Sequence, residues 1–265
     1  MTSEPLPDDV QAAVARAGPR LGPFARRLLW YSCVTSTSDI AARLAAAGAE
    51  EGTVVSADEQ THGRGRLGRQ WASPAGAGIY ASVILRPAAA VAPLMTIAAG
   101  VAVSEGIESA TGLRTALKWP NDLYVGPRKL AGILAEAGTT AGAFDHVIVG
   151  FGINLLSAAY PADVASRATS VESEIGRLVD RGLVLAECLA AIAARYGDLR
   201  DGRREEIVAR WRRRGSVTFG RHLEWNGSQG RIEGVAEDID ERGALIVRAG
   251  GQRLAVVSGE VRWRT

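Results

Sequence analysis

Three arginines are interleaved with three glycines in Gly63-Arg64-Gly65-Arg66-Leu67-Gly68-Arg69, and Gln70 and Trp71 follow directly. Glycine lets a backbone approach a ligand closely and adopt positive φ. Arginine grips phosphate and carboxylate oxygens with paired donors. Trp71 offers a face for stacking on a base, a contact worth roughly 1–3 kcal/mol in nucleic-acid complexes. The segment also matches the dinucleotide pattern G-x-G-x-x-G, but its context does not. A Rossmann turn opens straight into a helix whose N-terminus holds the pyrophosphate, whereas Trp71-Ala72-Ser73-Pro74-Ala75-Gly76 starts no helix. On residue types alone, a solvated basic loop and a nucleic-acid contact stand as alternatives to an anion site.

A second cluster narrows the choice. Lys118-Trp119-Pro120-Asn121-Asp122 lies at a strand end, and Lys129-Leu130-Ala131-Gly132-Ile133-Leu134 follows it. A lysine in an otherwise apolar strand is costly to bury unless it meets an anion. Asp122 is a hard oxygen donor of the kind Mg²⁺ uses beside substrate phosphates. Gly150-Phe151-Gly152-Ile153-Asn154 adds an amide at the end of a buried strand. Arginines, a lysine, an acid and a stacking indole together suit the activation of a carboxylate by a nucleotide.

The elements that must position these residues follow from periodicity and punctuation. Residues 1–24 read as a polar, proline-containing lead with one short helix, and residues 28–34 as a short strand. Ser36-Thr37-Ser38-Asp39 supplies N-cap residues for an Ala-rich helix closed by Gly48. Strands are expected at 53–57 and 78–85, with the basic loop at 62–74 between them and a helix at 93–110. A strand into Lys118-Trp119 stops at Pro120, which cannot donate to a ladder. Residues 123–125 and 129–135 form a hairpin split by Gly126-Pro127, 146–153 a further strand, and 169–214 a helical stretch. After Gly215 five short Gly-punctuated strands predict a small barrel of about 50 residues.

At 265 residues, 47% hydrophobic and 23% charged, the chain can bury a substantial core and is neither fibrous nor disordered. Its formal charge of +2 argues against a protein that coats nucleic acid. Arg210-Trp211-Arg212-Arg213-Arg214 reads instead as cations at a helix C-terminus. Cys33 and Cys188 have no metal-ligand spacing, fit a reducing cytosol, and are read as lying in apolar surroundings. The N-terminus lacks the apolar core of a signal peptide. No apolar run is expected to reach the ~20 residues of a membrane span. A soluble, cytoplasmic protein is predicted.

The motifs Gln60-Thr61, Gly63 to Trp71, Lys118 to Asp122, Lys129 to Leu134 and Gly152-Ile153-Asn154 resemble the biotin protein ligase family in order and spacing. The likeness runs from about Thr35 to the C-terminus, where VAEDIDERGALIV and SGEVRWR are similar to that family's SH3-like domain. The resemblance implies an α+β fold: a mixed-sheet catalytic domain of the biotin/lipoate ligase type over 25–215, then an SH3-like barrel over 216–265. It implies formation of biotinyl-5′-AMP from biotin and ATP with Mg²⁺, then transfer of biotin to a lysine of a carboxyl carrier domain of acetyl-CoA carboxylase or a relative. A lipoate or octanoate ligase or transferase of the same fold is the alternative, although an octanoyl transferase needs a nucleophilic cysteine. A monomer or homodimer is expected, with no membrane contact. Some relatives carry an N-terminal DNA-binding domain, but only 35 residues precede Ser36, fewer than the ~50 of the smallest ordinary domains, so no DNA contact is expected.

Residue by residue, the resemblance assigns Ser36, Thr37, Ser38 and Gln60 to biotin, with Ser38 standing where the family has asparagine. Arg64, Gly65 and Arg66 belong to the loop that closes over biotin and adenylate. Arg69 is placed on phosphate, Trp71 on adenine, and Asn154 on the nucleotide. Lys129 falls at the activated carboxyl and α-phosphate, and Asn121 and Asp122 near the metal and incoming amine, with Asp122 the candidate Mg²⁺ ligand. Leu67 replaces a residue that is basic in some relatives. Like charges on the loop predict mobility without ligand. The small C-terminal barrel is expected to dock on the catalytic domain, and a chain ending near Gly215 to fold and bind biotin, because Ser36, Gln60, Arg64 and Lys129 are retained.

Overall fold

The computed structural model describes residues 2–140, 142–227, 230–257 and 261–264, with all side chains in those ranges except at residues 25, 140 and 227. Residues 258–260 of the SGEVRWR motif lie outside that set.

β1 (Leu28–Val34) and β2 (Val54–Gln60) pair in parallel across the connecting helix α2 (Thr37–Ala46). β3 (Gly78–Leu85), β4 (Ala116–Lys118), β5 (Asp122–Val125), β6 (Arg128–Thr140) and β7 (Ala143–Asn154) join by antiparallel pairs, in the order β1-β2-β3-β7-β6-β5-β4. β3 lies inside the sheet and is buried at all eight positions, which is why it reads as a continuous apolar run rather than an alternation. On one face α2 sets Ile40, Ala41 and Ala45 against Val55, Ile84 and Ile148. The other face is covered by α3 (Met95–Thr111) and α5 (Arg181–Arg200), which cross closely at Gly106, where a Cβ would fall 2.5 Å from Cys188 Cα.

The first residues are not a detached lead. α1 (Asp8–Leu21) packs on α5, and Val10, Ala13, Ala17 and Leu21 are buried in the main core. Arg20 adds a two-point contact to Glu187 of α5, at 2.8 and 2.5 Å. The helical stretch at 169–214 resolves into α4 (Val171–Ile175), α5 and α6 (Arg204–Arg214), with Gly176 in a left-handed conformation at the first break. The expectation about membrane length also changes: Ala89–Thr111 is long and apolar enough to cross a bilayer, but 72% of its apolar window is buried inside the protein. It is a core helix.

The C-terminal sheet comprises β8 (His222–Gly227), β9 (Gly230–Ile239), β10 (Leu245–Ala249), β11 (Gln252–Val256) and β12 (Val261–Trp263), in the order β11-β10-β9-β8-β12. Its buried Leu223, Ile239, Leu245 and Val247 share one core with α3 and α6. The seam runs through Trp119. Its backbone N–H donates to Thr218 Oγ1 at 2.9 Å, and its indole N–H to the Gly243 carbonyl at 2.9 Å. Thr218 in turn donates to the Leu117 carbonyl at 3.0 Å. The arginines ending α6 are not merely solvated: Arg212 makes a bidentate pair with Asp238 at 2.7 and 2.9 Å, Arg210 bonds Glu105, and Arg214 bonds Glu108.

Candidate active site

Across β6 and β7, Gly132 faces Gly152 and Leu134 faces Gly150, on the side of the sheet that carries Ile148 and α2. With no side chains at these glycines, that face opens into a cavity of about 570 Å³ beyond the start of α2. Neighbours lie close over the glycines. A Cβ on Gly152 would fall 2.5 Å from Trp71 Nε1, and one on Gly150 2.7 Å from Ser38 Oγ.

One end of the cavity is uncharged and hydrogen-bonding. Gln60 at the end of β2 accepts the Thr37 backbone N–H at 2.9 Å and the Thr37 hydroxyl at 3.1 Å, and donates to Ser73 Oγ at 2.8 Å. Thr37 and Ser38 both meet Ser82 of β3, at 2.9 and 3.1 Å. Ser73 and Ser82 were missed from sequence. Ser82 had a signal, a lone hydroxyl inside the apolar run of residues 78–85. Ser36 does not line the cavity. It is 1% exposed and its Oγ has no partner among the described residues, so it caps α2 by position and not by a side-chain bond.

The basic loop is a tight hairpin. Gly65 N–H reaches the Arg69 carbonyl at 2.7 Å, Trp71 N–H the Gly63 carbonyl at 2.8 Å, and Arg64 bridges Gln70. Like-charge repulsion is offset because Arg64 pairs with Asp39 of α2 at 2.8 Å and with Glu136 of β6. These contacts fix the hairpin against α2 and β6. Leu67 turns it with φ 58° and is 61% exposed, a left-handed conformation that costs about 1–2 kcal/mol for a residue with a Cβ. Gly65, Arg66, Arg69 and Trp71 all reach the cavity wall.

At the centre, Lys129 Nζ lies 2.7 Å from Asp122 Oδ1 and 5.3 Å from the centroid of the Trp71 ring. The backbone of Lys129 is clamped by residues 167–169 through bonds of 2.8 and 2.9 Å. Asn121 is fixed to Ile133 by two bonds of 2.8 Å and accepts from Arg66 at 3.4 Å. Asn154 is 3% exposed and donates to the Thr169 carbonyl at 3.0 Å, which leaves its Oδ1 for a ligand. Burial pushes the Arg66 guanidinium below its ordinary value, against the field of Asp122. Burial likewise lowers Lys118, opposed by Asp122 and reinforced by Arg221 and Lys129. Tyr124 is pushed up to about 12 by burial and by Asp122.

A resident Mg²⁺ does not fit these donors. Asp122 is already ion-paired with Lys129, its other neighbours Arg66 and Lys118 are cationic, and the described residues hold no cluster of three metal-ligating side chains. Neither cysteine faces the cavity: Cys188 is buried in α5, whereas Cys33 is exposed and not in apolar surroundings as expected. Burial raises the Cys188 thiol, and slight desolvation together with the Glu59 carboxylate raises that of Cys33, which leaves both poor nucleophiles.

Fold and cleft define an α+β small-molecule-binding protein whose cavity joins an uncharged hydrogen-bonding end to a cationic centre. Residues 30–154 match the Biotin/lipoate A/B protein ligase family, and residues 218–262 the Biotin protein ligase C terminal domain. The bifunctional ligase/repressor BirA of Bacillus subtilis is 34% identical over 245 residues, covering 91% of this chain and 75% of that protein. The biotin--[acetyl-CoA-carboxylase] ligase of Mycobacterium tuberculosis is 36% identical, over 86% and 85% of the two chains. The structure of the biotin protein ligase from Aquifex aeolicus with biotin and ATP superposes with a TM-score of 0.78 at 31% identity, covering 90% of this chain and 99% of that one. The chain belongs to the Biotin/lipoate A/B protein ligase family.

Proposed function

We propose that the protein is a biotin protein ligase, which joins biotin to AMP and passes it to a lysine of a carboxylase carrier domain. The observation that carries this reading is the Lys129–Asp122 pair at 2.7 Å, beside the Trp71 ring in a cavity that also holds the hydroxyls of Thr37 and Ser38. A relative of 36% identity acts on acetyl-CoA carboxylase by its name, and a superposable relative is described with biotin and ATP bound. The hydroxyls of Thr37 and Ser38 and the amide of Gln60 suit the donors and acceptors of a ureido ring. A dithiolane or a plain alkyl chain offers them no partner, which disfavours lipoate and octanoate.

In the first step the biotin carboxylate attacks the α-phosphorus of ATP, and the α–β bridging bond breaks with its electron pair on pyrophosphate. Two anions must approach, so Lys129, Arg66 and Arg69 supply a preorganised opposing field. Trp71 presents its ring to the adenine and Asn154 its amide oxygen to the nucleoside. Magnesium, when present, neutralises phosphate charge, and it would be carried in by the nucleotide. In the second step the neutral amine of the acceptor lysine attacks the acyl carbon of the mixed anhydride. The acyl C–O bond breaks with AMP as the leaving group, the amine gives up a proton, and Asp122 beside Lys129 orients that amine. Two free cysteines are compatible with a reducing cytosol as its setting.

The test is exchange of labelled pyrophosphate into ATP with no acceptor present. It should require biotin, and a carrier domain added afterwards should gain the mass of biotin. Exchange driven equally by lipoate or octanoate would overturn the substrate assignment.

A further inference from the structure

Cavity cations differ in how they are neutralised. Arg64 has Asp39 and Glu136, and Lys129 has Asp122. Lys118 has no carboxylate in ion-pair contact among the described residues. Its ammonium lies between two aromatic rings, 4.9 Å from the centroid of Tyr124 and 5.4 Å from that of Trp263. Such faces attract a cation without cancelling its charge, so it is held in place and left available to an anion. The placement is directional. Lys118 pairs across β4–β5 with Asp122, next to the proposed reacting centre, while Trp263 and Arg221 come from the C-terminal part of the chain. Arg221 and Lys129 both lie near enough for their positive charges to act on Lys118.

We propose that Lys118 binds the departing pyrophosphate of the nucleotide and that Trp263, reaching over from the C-terminal sheet, is its positioning residue. The inference rests on the adenylating reading above. When the bond between the α-phosphorus and the bridging oxygen breaks, charge develops on that oxygen, and a cation just beyond the centre stabilises it. Arg66, half-buried and likewise without a carboxylate in ion-pair contact among the described residues, faces the same space. The C-terminal sheet thereby takes part in the first chemical step through one side chain.

Lys118→Met, Lys118→Arg and Trp263→Leu separate this role from a structural one. In biotin-dependent exchange, Lys118→Met should raise the KM for pyrophosphate by about tenfold or more, the loss of one charge-assisted contact. Lys118→Arg should recover part of it, and Trp263→Leu should shift it in the same direction by less. Transfer from added biotinyl-5′-AMP to a carrier domain forms no pyrophosphate and should fall far less than exchange in all three. An unchanged KM for pyrophosphate, or an equal fall in both half-reactions, would overturn the proposal. Calorimetric titration with pyrophosphate alone needs no turnover: weaker binding by Lys118→Met supports the site, and equal binding overturns it. A wild-type protein that binds pyrophosphate but shows no biotin-dependent exchange would sink the ligase reading and leave the titration to decide Lys118.

Discussion

Replacing Lys129 with alanine removes the cation at the proposed reacting centre and leaves Asp122 unpaired. Biotin-dependent exchange should fall on the order of 10²–10³-fold, as for loss of an oxyanion-hole donor, with little change in thermal stability because Lys129 is partly exposed. A wild-type exchange rate would show that the reaction does not use it. Two glycines make a reciprocal pair of tests. A methyl at Gly152 collides with Trp71 and one at Gly150 with Ser38, each an overpacking of about 1–3 kcal/mol. Gly152→Ala should therefore weaken ATP more than biotin, and Gly150→Ala biotin more than ATP, as read by calorimetry. Equal losses would mean that the two ends of the cavity are not separate subsites. At this scale the motif residues were legible, because a loop with this much arginine and glycine has few structural uses. Tyr124 and Trp263 were not, since nothing local marks them; strand register and the docking of a distant sheet bring them to the wall. Ser36, which the resemblance assigns to biotin, stands next to the lining residues Thr37 and Ser38 and outside the lining itself.

Among the elements, the basic loop is held by contacts that its own segment does not show. Its charges argue for mobility without ligand, and the acids that pair with Arg64, Asp39 and Glu136, lie 25 and 72 positions away. Contacts with partly exposed carboxylates are worth about 0.2–1 kcal/mol each, so Arg64→Ala should increase tryptic cleavage after Arg66 and Arg69 a few-fold in ligand-free protein. An unchanged cleavage rate would mean that the backbone bonds alone hold the hairpin. α1 was underestimated in the same way: Val10, Ala13, Val14, Ala17 and Leu21 have helical spacing, but proline and acids nearby masked it. The Arg20 guanidinium, with Ser109, holds the Glu187 carboxyl below its usual value against the opposing effect of burial. The contact is thus complete above the ordinary carboxylate range and is lost as pH falls through the lowered value. With Arg20 half-exposed it should contribute about 1–2 kcal/mol. Glu187→Gln should cost that much at neutral pH and flatten the acid limb of the stability profile. An acid limb as steep as wild type would assign it to other carboxylates.

Taken whole, the molecule has one core where the sequence suggested two. Strand and barrel were readable from punctuation, and docking from the barrel's small size, but the seam itself was not, because Trp119 gives no sign in sequence that its N–H groups are spoken for by Thr218 and Gly243. Thr218→Val removes two of these bonds and should cost about 1–3 kcal/mol, measurable by denaturant unfolding as a single shifted transition; two separate transitions would restore the picture of independent domains. A chain ending at Gly215 forfeits Leu223, Ile239, Leu245 and Val247 from the shared core, at about 1.5–3 kcal/mol each. That loss is comparable to the ~5–15 kcal/mol stability of a whole protein, so the truncated chain should fail to fold rather than retain biotin binding. The seam at Trp119 also bears on synthesis. Its acceptor Gly243 lies 124 positions downstream, so while the ribosome is still translating the last strands, the sheet bearing the active-site motifs waits with an apolar flank uncovered. Domains generally fold as units in the order of their synthesis; here the Trp119 N–H groups find their protein partners only after Thr218 and Gly243 have been made.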